Sequence, residues 1–137
     1  MITKHTNASH FVLGENFKNK IFMAKITWAG QSCFQISVTA SKESCDIVID
    51  PFDDQAELGS NPAKRGEKIG LKMPNFNADI VLVSHGHSDH NNASGVKPAR
   101  SATQSVAGGG KPFLIENPGE YEKNGVFVQG IDSFHDD

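Results

Sequence analysis

The chain has 137 residues, 37% of them hydrophobic, with 13 glycines and 6 prolines, which suits one domain with a real core and many turns. The formal net charge is -3 and the lysines and arginines are scattered, so there is no electrostatic footprint for nucleic acid or an anionic membrane. No apolar run approaches the ~18–20 residues that would span a bilayer, and MITKHTNASHFVLGENFKNKIF lacks the apolar stretch and cleavage site of a secretory signal; a cytoplasmic protein is expected.

Residues 1–22 are polar and weakly patterned, with His5 and His10 isolated. They are expected to form an N-terminal extension outside the core, leaving 23–137 as the folded unit. MAKITWAGQSCFQISVTA reads as a strand interrupted by the turn-like Ala29-Gly30-Gln31. The polar turn SKES leads to CDIVIDPF, a second strand with β-branched Ile47, Val48 and Ile49, closed by Pro51 and paired with the first as a hairpin. Cys33 and Cys45 then fall on neighbouring strands, where two free, half-buried thiols suit a reducing compartment better than a disulfide.

Residues 53–77 read as loop with at most one turn of helix. ADIVLVS, 78–84, is a continuous apolar run of strand length, the mark of a strand buried on both faces. GVKPARSATQSVAGGGK predicts a short helix at most and then loop. PFLIENPGEY gives a strand and a Pro-Gly turn, with Glu120 a turn residue, and GVFVQGIDSFH reads as a last strand ending at His135. About six strands with little helix place the chain in the α+β class.

The chemistry concentrates directly after the buried strand, in SHGHSDH. In extended backbone alternate residues point the same way, so His85 and His87 can reach one ion together. Asp89 and His90 follow where the loop turns and can face a second position beside the first. Imidazole suits zinc, iron, manganese or nickel, and a carboxylate hardens the site without selecting one metal. A pair of ions would polarise a carbonyl or phosphoryl oxygen and bring the pKa of water down to about 7, so that no side chain need be the nucleophile. A lone loop histidine is ordinarily solvated, and His5 and His10 keep that reading; three histidines and an aspartate at these offsets are a different matter.

With this motif the sequence resembles the metallo-β-lactamase-fold hydrolases, in particular the branch of ascorbate-6-phosphate-lactonase-like and related zinc-dependent hydrolases. MAKITWAGQSCFQIS looks like the family's opening strand, DIVIDPF like its second, and PGEY with GVFVQGIDSFHDD like the stretch leading to its third metal-binding histidine. The resemblance implies that His85, His87 and His135 bind a first metal and that Asp89 and His90 bind a second, with Asp89 also given the catalytic role. Asp50 is read either as orienting a ligating imidazole or as a strand-end carboxylate capping nearby backbone. One or two zinc ions are the implied cofactor, with manganese or iron as alternatives, and the implied partner is a small-molecule substrate.

Two departures qualify that expectation. Gln31 stands where many relatives have histidine. The family's complete domain is a four-layer αββα sandwich of two similar halves, and this chain resembles the first half, without the bridging aspartate or the final histidine of the second metal site. A single sheet would expose the apolar face that normally packs on its partner. The chain is therefore expected to be a truncated piece, or a half that pairs with another copy or a separate half. Two functions remain in play: a metal-dependent hydrolase of ester, lactone, amide or phosphodiester bonds, and a non-catalytic metal-binding half-domain that acts through assembly.

Overall fold

The computed structural model describes residues 2–3, 22–40, 43–56, 67–99 and 110–133. In chain order its strands are β1 (Ile2–Thr3), β2 (Phe22–Gly30), β3 (Cys33–Ala40), β4 (Glu43–Ile49), β5 (Asn77–Ala78), β6 (Ile80–Leu82), β7 (Lys97–Pro98), β8 (Phe113–Ile115), β9 (Gly119–Lys123) and β10 (Val126–Gly130). Among the described residues the one helical piece is a single 3-10 turn, Ala93–Gly95. The main sheet is five-stranded and mixed, in the order β2-β3-β4-β6-β8. β2, β3 and β4 meander antiparallel, and β4, β6 and β8 run parallel. The expected α+β, strand-dominated mixed sheet is what forms, joined by a small antiparallel sheet, β1-β10-β9, and the pair β5-β7.

The apolar runs explain the middle of this sheet. A strand with neighbours on both sides and cover on both faces needs apolar side chains at every position. β6 is such a strand: Ile80, Val81, Leu82 and the following Val83 are each at most 3% exposed. Alternation sends these side chains into two cores. Val48, Val81 and Val83 join Cys33, Phe52, Phe76, Ala78 and Val96 on one face. Ile47, Ile80 and Leu82 join Cys45, Ile115, Val126 and Val128 on the other. The second core is a small sandwich, since Val126 and Val128 of β10 face the β4-β6-β8 half of the sheet.

The β2-β3 half of that second face has no such cover. Cross-strand rows run Ile26–Ile36–Ile47 and Trp28–Phe34–Ile49, buried at the β4 end and open at the β2 end, where Ile26 and Trp28 are both 66% exposed. On this face the exposed apolar side chains thus lie on the edge strand β2 and its neighbour β3.

Three local expectations are corrected. Residues 23–40 are not one interrupted strand but two strands folded back on each other. Gly30 (φ 103°) and Gln31 (φ 49°) take left-handed conformations, which reverse the chain rather than dent it. No disulfide joins the two cysteines, as expected, yet both are fully buried rather than half-buried, because each lies on a core-facing row of β3 or β4. The last strand ends at Gly130, and His135 lies outside the described residues. β9 and β10 join through Asn124-Gly125, both at positive φ, the backbone a two-residue hairpin demands.

Candidate metal centre

The parallel strands β4, β6 and β8 all end at one edge of the sheet, the position where open sheets with parallel strands place their sites. Asp50 follows β4, Ser84 and the histidine loop follow β6, and Glu116 and Asn117 follow β8. The β4 exit holds the loop in place by main-chain bonds: Asn92 N–H donates to Pro51 O at 2.7 Å and Asp53 N–H to Ser88 O at 3.3 Å. The Asn92 amide adds a bond to Phe52 O at 3.2 Å.

Asp50 is the hub. Its carboxylate is buried, 6% exposed. One oxygen accepts the Ser84 backbone N–H at 2.7 Å and the other the Ser84 hydroxyl at 2.8 Å. The second oxygen also lies 3.2 Å from His90 Nδ1. Ser84 Oγ is in turn 2.9 Å from His85 Nδ1. This chain of contacts fixes both tautomers. The single hydroxyl hydrogen of Ser84 goes to Asp50, so toward His85 the hydroxyl accepts and His85 Nδ1 carries the proton. A carboxylate only accepts, so His90 Nδ1 carries one too. His85 therefore presents Nε2 as a lone pair, the form in which imidazole ligates a metal; His90 does so in its neutral form, with Nε2 3.6 Å from Asp89 Oδ2.

The rings themselves are gathered. His85 stands 4.7 Å from His87, edge to face, and 4.1 Å from His90, centroid to centroid. His85 Nε2 is buried from water. Asp89 Oδ2 lies 3.6 Å from His90 Nε2. The loop is not extended here: His90 N–H closes a turn onto His87 O at 2.9 Å, so His85 packs against His90 as closely as against His87. Among the described residues no three His, Cys, Asp or Glu side chains close around a single point. The donor chemistry nonetheless fits a divalent ion: three imidazoles, one with its lone pair assigned, and a carboxylate on one loop.

Of the residues expected at the two metal positions, the structure sets His85, His87, Asp89 and His90 side by side on one loop, with Asp50 beneath His90. His135 cannot be placed. Residues that the sequence did not single out are Ser84, which links His85 to Asp50, and the neighbours of His85 in a cleft of about 190 Å³: Val83, Gly86, Asn91, Glu116 and Asn117. The signal available for Glu116 and Asn117 was their position directly after a strand parallel to β6. Glu120, in β9, is exposed and does not line that cleft.

Cys33 lies behind the site. Burial, and secondarily the negative charge of Asp50, push its thiol from 9.0 up to about 12. A thiol held protonated in the fold but ionising near 9.0 when unfolded contributes stability below that pH and loses it as pH climbs toward the folded value. Chemical denaturation at about pH 8 and about pH 10 should therefore show a steeper alkaline loss in the native sequence than in Cys33→Ala, and the native thiol should resist alkylation at neutral pH.

The family model of the Beta-lactamase superfamily domain matches residues 25–137. The chain belongs to that superfamily, with the metallo-β-lactamase fold that its strands and histidine loop anticipate. It is 41% identical over 66 residues to a UPF0173 metal-dependent hydrolase of Methanobrevibacter smithii, a stretch that is 48% of this chain and 22% of that protein. A relative of the same description from Mesorhizobium japonicum is 36% identical over 83 residues, 61% of this chain and 30% of the relative. One from Bacillus cereus is 31% identical over 121 residues, 81% of this chain and 47% of the relative. The matched stretches span less than half the length of these curated relatives. No solved structure matches the chain.

Proposed function

We propose that this chain carries the metal loop of a metal-dependent hydrolase acting on a small molecule. The reading is carried by the relay from His85 through Ser84 and Asp50 to His90, which leaves His85 Nε2 as a lone pair and orients the His90 ring; the metal-dependent hydrolases among its relatives support it. His85, His87, Asp89 and His90 would hold the metal, with His135 as a further ligand, and zinc suits this nitrogen-rich set, with manganese or iron as alternatives. When bound, a divalent ion supplies Lewis-acid polarisation and water activation near neutral pH.

The rest of the chemistry falls to the chain. Asp50 keeps the His90 ring oriented and its Nδ1 protonated. Asp89, placed between His90 and Gln31, is the residue proposed to steer the proton that leaves the attacking water. Glu116, Asn91 and Asn117 offer hydrogen bonds to a substrate lying beside His85. With no lysine or arginine among these lining residues, an ester, lactone or amide suits the cleft better than a phosphodiester. The two buried thiols, not joined by a disulfide, support a reducing, cytoplasmic setting; no helix among the described residues is long and apolar enough to cross a membrane.

Metal analysis and calorimetric zinc titration test this reading. Structural zinc binding of about 10–16 kcal/mol shared over four ligands is roughly 3 kcal/mol each, so His85→Ala should weaken binding about 100-fold and lower hydrolysis of generic esters with it. Equal zinc affinity in the variant and the native chain would overturn it.

A second reading is a non-catalytic half-domain working through assembly, by self-association or with a separate half. The exposed Ile26–Trp28 row favours it. A dimeric mass by light scattering, with one metal held and no turnover, is its expected signature.

A further inference from the structure

Among the described residues, three that are not glycine have positive φ: Gln31 at 49°, Asp50 at 45° and Asn124 at 52°. Asn124 is explained by the hairpin turn it shares with Gly125. The other two sit on separate elements, and both reach the histidine loop. Asp50 binds His90. Gln31, at the tip of the β2-β3 hairpin, donates from Nε2 to Asp89 Oδ2 at 3.5 Å across 58 positions of sequence. That acceptor is the same oxygen that lies 3.6 Å from His90 Nε2. Asp89 and His90 are thus bracketed, by Gln31 on one side and Asp50 on the other.

The hairpin tip is built in a way that aims this amide. Glutamine has neither the missing Cβ of glycine nor the short side chain that lets asparagine or aspartate enter the left-handed region. It is held there by the Trp28 indole, whose Nε1–H donates to Gln31 O at 2.9 Å, and by the register shift between Trp28 and Gly30 that twists the end of β2. At 3.5 Å the contact is long for a hydrogen bond; the strained turn behind it is what marks it as more than incidental, because such outliers persist where surrounding structure over-determines them.

We propose that Gln31 is a positioning residue: its amide N–H holds one oxygen of Asp89 and so fixes the direction in which that carboxylate meets the metal. This rests on the metal reading above. Groups that orient metal ligands typically change affinity by 10–100-fold when removed.

The test is cobalt(II) titration, followed by visible absorption, together with thermal melts of the metal-free chain, for the native sequence, Gln31→Met and Gln31→Gly. Methionine keeps the length and removes the donor; glycine removes the donor and relaxes the turn. Both should bind cobalt about tenfold more weakly, with an altered absorption band. Gln31→Gly should at the same time melt a few degrees higher, roughly 2–5 °C, because glycine tolerates positive φ. Weaker binding alongside higher stability is a pairing that a merely structural turn residue does not give, and the glycine variant reports the effect even if the methionine variant folds poorly. Native-like affinity and spectrum in both variants, with the native chain binding cobalt, overturns the role of Gln31 and leaves the metal reading standing. A native chain that binds no metal overturns both.

Discussion

Replacing Asp50 with alanine is expected to lower folding stability by about 3 kcal/mol, read from urea denaturation, and to weaken metal binding 10–100-fold. The stability figure has three parts. Two Ser84 donors and the His90 Nδ1–H lose a charged acceptor, each such bond contributing about 1.5–3 kcal/mol. Against that, a buried carboxylate no longer has to be desolvated. Alanine at φ 45° adds a further ~1–2 kcal/mol of backbone strain. Asp50→Asn separates these contributions, since asparagine tolerates the left-handed region and keeps one acceptor; it should lose about half as much. A stability within ~0.5 kcal/mol of the native value, the range of an ordinary surface substitution, would show that the carboxylate is not the hub described.

The second large effect belongs to Phe52. Its side chain is 0% exposed and packs with Cys33, Val48, Phe76, Val81 and Val96. Phe52→Ala is expected to cost about 3–5 kcal/mol, lowering the denaturation midpoint with little change in the denaturant dependence. Phe52→Leu should lose less, because most of the volume is kept. The two sites are distinguished by metal binding. Phe52 contributes only its backbone oxygen to the loop, through Asn92, so under conditions where Phe52→Ala stays folded its metal affinity should remain near native. Asp50→Ala should move both quantities.

What the sequence disclosed and what it concealed divide along the range of the interactions. β6 was legible because burial on both faces demands an unbroken apolar run. The His85–His90 loop was legible because residues of metal-ligand type at fixed offsets on one short segment need no tertiary information to be noticed. The hairpin within residues 22–40 was misread, because the reversal rests on Gln31, a residue type with no turn preference, held in a left-handed conformation by a contact from Trp28. Glu116 and Asn117 went unseen for a different reason. They reach the site only because β8 pairs parallel with β6, and that pairing joins segments more than 30 positions apart. Asp50 was seen but left between two readings, cap or imidazole partner. The structure shows that it is both, accepting from the Ser84 backbone and from His90.

The placement of Trp28 decides what light can report about this protein. It is the chain's single tryptophan, is already 66% exposed in the fold, and is tethered through its indole N–H to the backbone of Gln31. Its emission is therefore a poor measure of global unfolding, since melting the core changes its hydration little. It is instead a local optical probe of the hairpin tip beside Asp89, set three residues from the amide that faces the histidine loop.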